Sequence, residues 1–216
     1  MIIRRSRLIP RLLALLLLAS ALEAQAPKRD SSQATLSPVE LGEVTNGIYK
    51  NGFFGFSYRI RYGWVDRTDE MREASQEPAK STVLLAIFER PPLATGSTIN
   101  SSVVIAAESV SSYPGLKNAA QYFGPVSEVT EAKGLKPVNE PYEFPVDGKP
   151  IVRQDFIKQI SNIGMHQSTL AMLIKGYVLS FTFIGNSDEE VQGLIEWLKI
   201  GTPAKSAKSS PKSSKP

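Results

Sequence analysis

"YVLSFTFIGNSDEEVQGLIEWLKIG", residues 177–201, places two kinds of secondary structure side by side. In its first half Leu179, Phe181 and Phe183 alternate with Ser180 and Thr182. That is the period of two shown by a strand with one buried face and one wet face. The second half changes period. Ser187 with Glu190 three residues on fits a helix-opening box, and Asp188, Glu189 and Glu190 set negative charge at the positive end of the helix dipole. Val191, Leu194, Ile195 and Leu198 then recur at helical spacing, and Gly201 and Pro203 supply a stop. A helix is therefore expected over 186–201, with its apolar stripe on the sheet face that carries Leu179, Phe181 and Phe183.

Working outward, Lys175-Gly176 reads as a hairpin turn back to a strand over 166–174, and Asp147-Gly148 as a second hairpin joining 142–146 to 151–160. Further strands are expected at 81–89, 100–110 and 53–60. In the last of these Phe54, Phe56 and Tyr58 share a face and Phe53 starts the other. Alternating aromatics of this kind bury large apolar areas, so the stretch is read as core rather than as a ligand platform. Trp64 after Gly63 is expected to lock a turn by packing, which leaves Arg61 and Tyr62 as the candidate surface-contact residues. Leu116 to Lys133 carries Leu116, Ala119, Ala120 and Phe123 at helical spacing, and Gly124-Pro125 is expected to kink or split that helix. The fold class is α+β, an antiparallel sheet packed with helices, over one domain spanning 47–201.

Both ends differ from the domain. Arg4, Arg5, Arg7 and Arg11 precede an apolar run from Leu12 to Leu22, and Ala24-Gln25-Ala26 offers the small-x-small pattern of a signal-peptidase site. Residues 1–26 are read as a signal peptide cleaved after Ala26. The general secretory route is the default, since an arginine pair alone does not define twin-arginine export. Residues 27–46 are polar and read as a linker; 202–216, built from Lys, Ser, Pro and Ala, read as a disordered tail. The tail lysines are either simply solvated or a weak tether to an anionic surface, where each contributes roughly 1 kcal/mol.

The aromatic strand running into a Gly-Trp turn, "YKNGFFGFSYRIRYGW" (49–64), and the closing "KGYVLSFTFIGNSDEE" (175–190) together resemble the PsbP-like fold family. Its members include extrinsic photosystem II proteins, DcrB-type bacterial envelope proteins and a Ran-binding import factor. The resemblance spans about 48–200 and implies an α/β/α sandwich. The family commonly has a proline just before the Gly-Trp, where this chain has Arg61-Tyr62. Its motifs are packing and turn signatures, so the resemblance implies no catalytic residue and no cofactor.

The composition narrows the chemistry further. There is no cysteine, which removes disulfides, thiol nucleophiles, lipidation at a mature N-terminal cysteine and Cys-ligated metals. The single histidine, His166, lies outside any G-x-S-x-G elbow and reads as an edge or loop imidazole. Asp66, Asp69, Glu70 and Glu73 lack the order of a calcium loop and, with Arg67 and Arg72 interleaved, read as a self-paired solvated segment. The whole chain is formally +4, yet residues 27–203 carry 17 Lys and Arg against 20 Asp and Glu, a net charge of −3. That body lacks the electrostatic footprint of a nucleic-acid binder. The expectation is an exported, periplasmic or secreted, non-enzymatic module that contacts another envelope or secreted protein. The alternative is a carrier of a small apolar ligand or lipid in a cleft beside Gly124-Pro125.

Overall fold

A computed structural model of the chain describes residues 39–75, 80–91, 94 and 96–201. The segment read as a signal peptide, with Ala24 and Ala26, most of the segment read as linker and residues 202–216 lie outside the described residues. The chain opens with β1 (Glu43–Thr45), β2 (Ile48–Asn51), β3 (Phe56–Arg59) and β4 (Val65–Asp66), then α1 (Thr68–Glu73), β5 (Ser81–Phe88) and β6 (Ser102–Ser109). A long helix, α2 (Ala119–Ala132), is followed by β7 (Lys136–Pro137), β8 (Tyr142–Val146), β9 (Lys149–Ile160), β10 (Ile163–Ile174) and β11 (Tyr177–Gly185). A short helix, α3 (Asp188–Ile195), and β12 (Leu198–Ile200) complete it. This is an α+β fold.

The strands form two antiparallel sheets rather than the single one expected. The large sheet runs β4-β5-β6-β11-β10-β9-β7, with β8 also on the β9 edge; the small sheet runs β1-β2-β3-β12. The main hairpins follow the turn chemistry in the sequence. Val146 faces Lys149 across Asp147-Gly148, and Ile174 faces Tyr177 across Lys175-Gly176. All four turn residues have φ between 49° and 82°, the left-handed pair that matches strand twist. Asn46-Gly47, inside the segment read as linker, makes the same turn between β1 and β2, with φ of 51° and 71°.

The linker boundary is thus corrected. Val39 already packs on the core, the Tyr49 hydroxyl donates to the Leu41 carbonyl at 2.6 Å, and Asn51 Nδ2 donates to the Glu40 carbonyl at 2.8 Å. The aromatic stretch is also rearranged: 52–55 form a turn that leads into β3 instead of continuing the strand. Phe54, Phe56 and Tyr58 are nonetheless buried, so the core reading holds. Phe56 meets Phe181 edge to face at 5.2 Å, and the Tyr58 hydroxyl donates to the Leu194 carbonyl at 3.0 Å.

Two apolar layers sit on opposite faces of the large sheet. On one, the small sheet and α3 bury Tyr49, Phe56, Tyr58, Leu194 and Leu198 against Ile105, Leu179, Phe181 and Phe183. On the other, α2 buries Tyr122 and Phe123 against Ala171 and Val178. Each large side chain so buried contributes roughly 1.5–3 kcal/mol. One helix expectation changes and another is narrowed. α3 stops at Ile195, and Leu198 reaches the same core from β12, which pairs with β3. α2 is one helix carrying Pro125 inside it, not two pieces.

Candidate functional sites: an arginine–tryptophan face and a cleft beneath α2

Because Tyr49, Phe56, Tyr58 and Leu198 point inward, their neighbours on the small sheet must point outward. Register aligns Glu43, Lys50, Ser57 and Lys199 in one row and Thr45, Ile48 and Arg59 in the next. No described element covers this outer face in the core clusters. At its β12 end the Arg59 guanidinium carbon lies 5.8 Å from the Trp197 ring centre. Arg61 lies 5.5 Å from the same ring and 5.8 Å from Trp64. The Arg61 Nε is buried and has no hydrogen-bond partner. Tyr62, next in the chain, is fully exposed at the tip of a turn closed by the Trp64 amide donating to the Arg61 carbonyl at 3.2 Å. A groove of about 380 Å³ runs along this face, lined by Ile48, Ser57, Arg59, Glu196, Trp197 and Lys199. Of the two surface residues expected from sequence, Tyr62 is free and Arg61 is half-buried between indoles. Arg59 and Trp197 were missed, because β12 was read as the end of a helix.

A second concavity, about 420 Å³, lies between α2 and the open face of β6 and β11. Val104, Ala106, Ile184, Val126 and an exposed Val129 give it apolar walls, with Pro125 on its margin. At one end Tyr122 donates to Glu108 Oε1 at 2.6 Å, and Tyr113 donates to the other oxygen of the same carboxylate. Burial, reinforced by the Glu108 charge and hydrogen bond, pushes both phenols far above the ordinary tyrosine range. The pair locks the start of α2 and the turn before it onto β6.

The other candidates resolve into structural roles. His166 sits on β10, between β9 and β11, rather than at an edge or in a loop, and its Nδ1 is 2.7 Å from Asp188 Oδ1. The acidic cluster is self-paired on and beside α1: Arg67 with Glu70 at 2.7 Å and Arg72 with Asp69 at 2.6 Å. Ser187 caps α3 by accepting from the Glu190 amide at 3.2 Å. The Glu190 carboxylate turns away from the reciprocal box to accept from Ser101 Oγ at 2.6 Å and from the Asn186 backbone amide and Nδ2, both at 2.9 Å. Burial alone would raise this carboxyl, but the Ser101 and Asn186 bonds, with the Arg61 charge, bring it below its ordinary value. Among the described residues no group of three or more His, Cys, Asp or Glu is placed to hold a metal, and no helix is long and apolar enough to cross a membrane.

Sequence reading also missed a polar network on β9, β10 and α3. Asp155 accepts from Arg153 Nε at 2.8 Å, from Asn139 Nδ2 at 2.7 Å and from Ser168 Oγ, while Arg153 also donates to Gln192 at 3.0 Å. Burial disfavours the charged Asp155, yet the hydrogen bonds from Ser168, Asn139 and Arg153 outweigh it and lower its pKa. The sequence signal was Arg153-x-Asp155, two charged residues on one face of a strand.

No protein-family model and no curated protein matches the chain. Among solved structures it is similar to PsbP of the cyanobacterium Synechocystis, with 15% identity over 71% of this chain and 91% of that one and a TM-score of 0.48. It is also similar to LpqN of Mycobacterium tuberculosis, a protein involved in cell envelope biogenesis (14% identity, 70% and 87% covered, TM-score 0.39). A Pseudomonas aeruginosa protein of unknown function gives 18% identity, 47% and 68% covered, and a TM-score of 0.33. At these identities no role is carried over from any of the three.

Proposed function

We propose that the chain is an exported, non-catalytic accessory protein that acts by contacting another envelope or secreted protein through the outer face of the small sheet. The observation that carries this reading is the pair of arginines stacked on Trp197 beside a fully exposed Tyr62, on a sheet face that no described element packs against. Arginine, tryptophan and tyrosine are the residue types that dominate the energetics of protein interfaces. A photo-cross-linking amino acid at position 62, compared with one at the exposed Val138, tests it in the native envelope. An adduct from position 62 and none from 138 is the expected result; equal labelling, or none from 62, overturns it. In the same reading the mature chain begins at Pro27, which N-terminal sequencing of exported material checks.

The cleft beneath α2 supports a second reading, a carrier of a small apolar ligand. Its apolar walls of Val104, Ala106, Ile184 and Val129 lie open beside the helix. Titration with a fluorescent fatty acid tests this: Val129→Glu should abolish uptake, and failure of the wild-type chain to bind removes the reading.

A further inference from the structure

We infer that the outer face of the small sheet receives an acidic peptide segment of the partner, with Arg59 and Arg61 as its carboxylate-binding pair; this rests on the reading of that face as the contact surface. Four of the six described arginines already hold a carboxylate: Arg67 with Glu70, Arg72 with Asp69, Arg90 with Glu89 and Arg153 with Asp155. The two without an ion pair or a side-chain hydrogen bond, Arg59 and Arg61, share one indole. Glu190 feels the Arg61 charge through space, but its oxygens are engaged by Ser101 and Asn186. Two guanidinium groups held over one indole, without a carboxylate of their own, keep their forks available for carboxylates and lose little freedom on binding.

Charge points the same way. Lys50 and Lys199 stand in the row beside Arg59, against Glu43, Glu196 and Asp147, the last paired with Lys199 at 3.4 Å; the unpaired Arg59 and Arg61 leave this face slightly positive on a body of net −3. An acidic segment is attracted here and repelled elsewhere, which fixes register as well as affinity. The occupant is a peptide and not a bilayer. Guanidinium groups lie over both tryptophan rings and both indoles pack partly on the core, so neither is bare for acyl chains, and the groove is concave. The tail after Thr202 is not the occupant, since it carries four lysines and no acid.

The test uses the full chain with Lys205, Lys208, Lys212 and Lys215 changed to Gln, so that the tail does not bind the probe. The probe is a fluorescein-labelled peptide of alternating Glu and Ser, with a Gln–Ser peptide as control. Anisotropy should show binding of the Glu peptide alone, weakening as salt rises. Arg59→Gln, at an exposed position, should weaken it about tenfold or more, and Arg61→Lys should also weaken it by removing the fork. Lys117→Gln, remote and exposed, should change nothing. Equal binding of the Glu and Gln peptides, or an unchanged affinity in Arg59→Gln, overturns the inference. So does a chain that ignores the peptide but binds phosphatidylglycerol vesicles through Arg59. If the Tyr62 adduct persists in Arg59→Gln, the contact surface stands and the acidic recognition falls; loss of the adduct together with peptide binding supports both.

Discussion

Asp155 accepts from four side chains, those of Arg153, Asn139, Tyr142 and Ser168, and its charge is what those donors require. Asp155→Asn leaves Arg153 half-buried without its partner and should cost about 1–3 kcal/mol in urea unfolding at neutral pH. Its folded pKa is depressed, so the stability it confers is present above the ordinary aspartate value, about 3.9, and is lost as pH falls through the lower folded value. Glu190 acts in the same sense. The wild-type unfolding midpoint should therefore drop in acid, and Asp155→Asn should flatten part of that slope. The tyrosines reverse the sign. Tyr58, Tyr113 and Tyr122 are raised in the fold, so their contribution is intact below about pH 10 and disappears above it, as the unfolded chain ionises. Phenolate absorbance from these three should appear with unfolding in alkali and not before it. A stepwise rise ahead of unfolding would contradict their burial.

Turns and helices show what local sequence specifies and what it leaves to packing. Lys175-Gly176 and Asp147-Gly148 were legible because a left-handed pair is a property of two residues. Asn46-Gly47 carried the same signal and was passed over, since strands as short as β1 and β2 show no periodicity of their own. Gly47→Ala should cost about 1–2 kcal/mol, because φ there is +71°. The aromatic stretch was legible as core but not as turn plus strand: Phe54 is buried from within a turn, where alternation does not apply. Leu198 fits the helical stripe by spacing alone; pairing with Tyr58, a contact no local pattern encodes, makes it a strand instead. The apolar stripe itself holds, so Leu194→Ala should cost about 2–5 kcal/mol and Ser187→Ala only about 1. Of the proposed contact face, Tyr62 could be foreseen as exposed because it sits beside a glycine turn. The Arg59–Trp197 stack could not, since its partners are distant in sequence.

At the scale of the molecule, the large sheet separates two apolar layers that share no side chain. Phe123→Ala, in the α2 layer, should cost about 3–5 kcal/mol. Combined with Leu194→Ala from the other layer, the effects should add to within roughly 0.5 kcal/mol. A larger coupling in urea unfolding would mean that the sheet transmits repacking from face to face. The β12–β3 pairing has a different consequence, for folding in time. Leu198 pairs with Tyr58 and Ile200 with Phe56, so the last described strand completes a sheet begun by the first ones. Closing a loop of that length is entropically slow, and nothing nearer in the chain substitutes for it. A nascent chain still held beyond Trp197 keeps the β3 edge bare. Completion of the domain is thus deferred until the chain through Ile200 is free, a delay built into the order of the strands.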